Sequence, residues 1–117
     1  ASLSQTAAKN PAGTVASLSA DYLNPRRQVT SPANLTTMLA LEKVGALPRN
    51  SIPQEVFDSP SLAYAFEITD AGELKKQLEA GHAGMQPSDS LMMIYDRTTN
   101  PELKTRILSL LPVIDQA

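Results

Sequence analysis

His82 is the only side chain in this 117-residue sequence that ordinarily titrates near neutral pH, so any acid–base chemistry would start there. Ser88, Asp89 and Ser90 follow it closely. A nucleophilic triad, however, draws its members from separated points of the chain, and no Gly-x-Ser-x-Gly elbow accompanies them. A lone histidine just after a helix end reads more simply as a solvated residue, favoured there when protonated. Asp70 and Glu73 are better explained as helix-capping groups and Asp96 as a strand-end residue. There is no Gly-rich phosphate loop and no EF-hand ligand run. The chain has no cysteine, which excludes disulfides, thiolate zinc sites and a cysteine nucleophile. With a single imidazole, no transition-metal site is expected either. The reading is therefore non-enzymatic, with no catalytic, cofactor-binding or metal residues assigned.

Gly81-His82-Ala83-Gly84 has the Gly-x-x-Gly form of the KH backbone clamp. No basic residue lies between Lys76 and Arg97, so phosphates would meet Glu79 and Asp89 instead. Gly81 reads as a helix C-cap and Gly84 as a loop residue. The net charge of −2 leaves no dense positive field, and nucleic acid is not an expected partner. Residues 1–60 carry +1 and residues 61–117 carry −3. Arg26 and Arg27 are the candidate protein-interaction residues, suited to an acidic partner or lipid headgroup. Met85, Met92 and Met93 could form an adaptable interface, but the latter two read as opposite sides of an inner strand. The glycosylation pattern Asn34-Leu35-Thr36 falls inside a predicted helix and is set aside.

The elements that would hold these residues follow from spacing. Residues 1–13 are small and polar and predict a flexible lead. Thr14 caps a predicted helix over 15–23, ended by Asn24-Pro25, with Arg26–Thr30 extended. Ser31-Pro32 opens a helix over about 32–45, bracketed by Gly45 and Pro48. Pro53 begins a short turn within 51–58. Leu62, Tyr64, Phe66 and Ile68 alternate with Ala63, Ala65 and Glu67, predicting a strand; a helix begun by Ser59-Pro60 is the rival. Asp70 and Glu73 open a helix with Leu74 and Leu78 on its buried face, closed by Gly81. A loop spans 81–90, and Leu91–Tyr95 reads as an inner strand. Asn100-Pro101-Glu102 starts the last helix, with Leu103, Ile107, Leu110 and Leu111 on one face and Pro112 ending it.

These elements predict an α+β fold: a helical part over 14–58 packed on a β-α-β-α unit over 62–115, one domain over 14–117. A two-stranded sheet needs a third strand, expected from 26–30, from 83–87 or from a partner. With 42% hydrophobic and 19% charged residues, one core is expected without staples. No apolar run approaches the roughly 20 residues that span a bilayer.

The run Phe66–Leu78, then Ser90–Asp96, then Asn100–Lys104 through Leu111–Asp115, resembles the periplasmic N-domains of secretins, which are KH-like ring-building modules. The order is similar: strand, helix, apolar strand, turn, and a last helix ending in an apolar-Asp step. The middle strand usual before the Leu91 run is replaced here by a Gly/Pro/Ser loop, and residues 1–60 have no counterpart. The resemblance implies a bacterial envelope protein whose domains pack through sheet edges and helices, and it carries over no catalytic residues.

The functional expectation is a protein–protein interaction or assembly domain, in a cell-envelope secretion or pilus machine. A stand-alone partner-binding or inhibitor protein is the alternative, followed by a small enzyme using His82. The small polar N-terminus lacks an initiator Met and reads as a processed end or an expression boundary. Periplasmic or exported location is favoured by a small margin over cytoplasmic.

Overall fold

The structure is a computed structural model that describes residues 2–81 and 84–117. Among the described residues every regular element is helical: α1 (Leu3–Lys9), α2 (Pro11–Ser19), α3 (Ala33–Lys43), α4 (Gln54–Phe57), α5 (Pro60–Ile68), α6 (Ala71–Gly81), α7 (Pro87–Arg97), α8 (Pro101–Leu110) and a closing 3₁₀ turn, Ile114–Gln116. The α+β expectation, with its β-α-β-α unit, is overturned.

Proline explains much of this order. Pro11, Pro60, Pro87 and Pro101 sit at the first positions of α2, α5, α7 and α8, where a missing N–H costs nothing. Asn10, Ser59 and Asn100 cap three of those helices through their side chains. The segment expected as a flexible lead forms α1, opened by a Ser2/Gln5 capping box, with Ala7 fully buried. Gly45 ends α3 with φ +80, and Gly45 and Ala46 donate to Glu42 and Leu41 in a Schellman arrangement.

Both expected strands are helices, for the same reason. In α5, Leu62, Ala65 and Phe66 are buried while Tyr64 and Ile68 are exposed, so the alternating face is split by the helical period. In α7, Leu91 and Ile94 are fully buried, three apart, and Met92 is exposed. The third strand has no place: residues 26–30 are irregular, and 84–87 turn into α7.

Helix α3 is the hub. Leu35, Thr36, Met38, Leu39, Ala40 and Leu41 are all buried, which is why it shows no wet face. Helices α2, α6 and α7 pack around it, and α8 lies against α5 and α7. Phe57, Leu62, Phe66, Leu74, Leu78 and Ile107 complete a single core. The radius of gyration, 13.3 Å, is that of one domain of this length.

Candidate functional site

The surface beside α2 carries a concavity of low polarity. Pro11, Ala12, Val15 and Ala16 form one wall, Pro48 and Pro53 the other, and Leu23 closes an end. The trough encloses about 530 Å³ and no charged side chain lines it. Ala12 and Ala16 are exposed and four apart, so α2 offers a smooth, shallow ridge. Proline makes both walls poor in backbone donors, so an extended strand could not add to them by main-chain pairing. Ser51 lines the trough too, its buried Oγ without a hydrogen-bond partner.

Arg26 and Arg27 lie on the turn between α2 and α3, both exposed. Arg27 Nη2 donates to Asp21 Oδ1 at 3.2 Å in an exposed pair. Arg27 also lines a neighbouring groove of about 480 Å³ with Glu55 and Asp58, and Leu23 borders that groove as well as the trough. Arg27 therefore stands in the groove that adjoins the apolar surface at Leu23, and Arg26 is its exposed neighbour in sequence, lining neither. Their loop is fixed from below by Ser59 Oγ, which donates to the Tyr22 carbonyl at 2.7 Å. Thr30 and Ser61 hydroxyls meet at 2.7 Å beside it.

A third concavity, of about 660 Å³, sets the charged Glu42, Lys43, Arg49, Asp89 and Arg97 beside Met92 and Met93. Its central charges are already paired: Arg97 Nη1 donates to Glu42 Oε1 at 2.6 Å, and the Arg97 guanidinium lies 4.4 Å from the centre of the Phe57 ring. That pair ties α3 to α7 and is structural.

His82 lies outside the described residues, as does Ala83, so the Gly-x-x-Gly reading is not carried further. Of the residues beside it, Ser88 is bonded to Asp115, Ser90 is buried in α7 with no hydrogen-bond partner for its hydroxyl, and Asp89 lines the third concavity, so the three do not share one site. Asp70 caps α6, accepting from the Glu73 N–H at 2.9 Å. Asp96 is exposed on α7 rather than at a strand end, and Met92 is exposed rather than inside. Among the described residues no three acidic or imidazole groups gather as a metal would need, and no helix is long and apolar enough to cross a membrane.

Sequence reasoning missed the trough because it reads residues 1–13 as a flexible lead, Pro48 only as a stop and Pro53 only as the start of a short turn. The available signal was Asn10-Pro11 followed by small residues at helical spacing. No family model matches the chain, and neither a curated protein nor a solved structure does.

Proposed function

We propose that this chain is a non-enzymatic protein-interaction module that seats an apolar helix of a partner protein in the trough beside α2. The observation that carries this is the uncharged, concave lining to which Pro11, Ala12, Ala16, Leu23, Pro48 and Pro53 contribute. A helix satisfies its own backbone, so it needs only apolar complementarity from walls made largely of proline and alanine. Arg27 in the adjoining groove, with the exposed Arg26 beside it in sequence, favours a partner with acids flanking its apolar face, through contacts that steer approach and weaken with salt. Assembly through sheet edges is not part of this reading, because the segments that would offer those edges are helices.

The test is selection from a displayed library of helical peptides on the wild-type chain, followed by titration against Ala16→Glu and Leu23→Asp. Both positions are exposed, so the variants should keep their helical circular dichroism. Selected peptides should bind each variant at least about tenfold more weakly. Equal binding to wild type and variants would count decisively against the trough.

A further inference from the structure

Helix α7 begins at Pro87 with no side-chain cap of its own: Gln86 makes no capping hydrogen bond. The cap arrives from the far end of the described chain. Asp115 Oδ1 accepts from the Ser88 N–H at 2.9 Å, and its Oδ2 accepts from the Ser88 hydroxyl at 2.6 Å. Lys75 Nζ, on α6, donates to the Asp115 carbonyl at 2.9 Å. The preceding Ile114 is fully buried, and the 3₁₀ turn packs against both α6 and α7. An apolar side chain and a carboxylate on adjacent residues thus fill a socket with three separate readers: an apolar hole, a helix start with its serine, and a lysine.

We propose that this socket is an exchangeable peptide site, which takes an apolar-Asp step of a partner protein in place of the chain's own Ile114-Asp115. The strap is joined to α8 by Pro112 and the exposed Val113, and only Ile114 within it is buried. Helix α7 is held independently through Leu91 and Ile94, both fully buried, so the strap lifts without dismantling it. The hydrogen bonds to Asp115 are exposed, so water can take them over as the strap leaves. Ser88 discriminates among ligands: its N–H and hydroxyl donate to two carboxylate oxygens at once, and an asparagine side chain offers one acceptor in place of two. The tethered strap competes at high effective concentration, so it acts as an internal inhibitor of the site. This assignment is independent of the trough beside α2.

The probe is a fluorescein-labelled peptide, Leu-Pro-Val-Ile-Asp-Gln-Ala, followed by anisotropy against the full chain. Asp115→Asn in the chain weakens its own strap and should raise peptide affinity at least about tenfold over wild type. A peptide with Asn in place of Asp should bind that variant about tenfold more weakly than the Asp peptide. Equal affinity for the two peptides, or no saturable binding to a variant that keeps its helical signal, overturns the proposal. A peptide-free Asp115→Asn chain that dimerises by light scattering assigns the socket to a second copy and overturns the partner assignment. Should the variant unfold, hydrogen exchange on the wild-type chain decides: the Ser88 amide should exchange faster than the Leu91 amide. Exchange of both only at the rate of global unfolding overturns it.

Discussion

Single side chains do helix-capping work here that local sequence does not supply. Helix α3 has proline at its cap position, and the local Ser31 Oγ accepts only from the Ala33 N–H, at 3.2 Å, leaving the Leu35 N–H to another group. Tyr22, 3% exposed, takes that role: its hydroxyl accepts from the Leu35 N–H at 2.9 Å and donates to the Ser31 carbonyl at 2.5 Å. Burial pushes its phenol well above the ordinary value of 10.0, with the Asp21 charge adding and the Leu35 and Asn34 backbone opposing. A folded value raised above the unfolded one means this contribution is complete below the unfolded value and fades as pH rises toward the folded one. Tyr22→Phe keeps the ring and leaves the Leu35 donor unsatisfied in the interior. We expect a loss of about 1–3 kcal/mol in urea unfolding at neutral pH. That deficit should shrink as the pH is raised above 10.0. A variant as stable as wild type would show that the phenol does not cap α3.

At the scale of elements, the α3–α6 crossing is set by a glycine. A Cβ on Gly81 would overlap the Ala33 carbonyl oxygen and lie 2.7 Å from Thr36 Cβ. Thr37 Oγ1 also donates to the Gly81 carbonyl at 2.6 Å. Gly81 is not in the left-handed region, so its role is close approach and not the helix stop expected of it. Gly72, on the same helix, has nothing nearer than Asp70 Oδ1 at 3.4 Å. Gly81→Ala should therefore cost about 1–3 kcal/mol by overpacking, while Gly72→Ala should be neutral or gain up to about 1 kcal/mol from helix propensity. Thermal melts check the crossing: Gly81→Ala should melt below wild type and Gly72→Ala at or above it. The sequence displayed the helices it capped locally: α3 by its Gly45 stop, α6 by Asp70, α8 by Asn100-Pro101. It misled where apolar residues happened to alternate. Leu62, Tyr64, Phe66 and Ile68 satisfy a period of two, yet only Leu62 and Phe66, four apart, go inside. Ser59-Pro60 carried the same cap-and-proline start as Asn100-Pro101 and outweighed the alternation, whereas α7 starts at Pro87 with no cap from Gln86. Of the candidate site, Arg26 and Arg27 were legible because their charge is visible in the letters. The trough was not, because it is made by two segments meeting through α3.

Across the whole molecule, the N-terminal and C-terminal halves are joined by polar clamps as well as by the core. Glu42 holds Arg97, Gln54 Nε2 donates to the Arg97 carbonyl at 2.7 Å, and Asp58 gathers the turn between α7 and α8. Asp58 Oδ1 accepts from the Thr98 hydroxyl at 3.0 Å and the Thr99 N–H at 2.7 Å, and its Oδ2 from the Thr99 hydroxyl at 2.9 Å. Desolvation alone would raise this carboxyl, but hydrogen bonds from the Thr99 backbone, Gln54 and the two threonine hydroxyls outweigh it and hold it below 3.8. A folded value depressed below the unfolded one means the clamp is at full strength above 3.8 and is lost as pH falls through the folded value. Asp58→Asn removes the charge and puts an NH2 donor among groups that themselves donate, so it should be less stable than wild type at neutral pH. The gap should close in acid below 3.8, because protonation takes the same charge from wild type. Urea midpoints across a pH series, followed by circular dichroism, measure this directly. Because the clamp spans both halves, tyrosine fluorescence should report the same midpoint as circular dichroism at every pH. A gap that stays constant into acid would assign the stability of the α4–α5 and α7–α8 junction to packing instead of to the Asp58 charge.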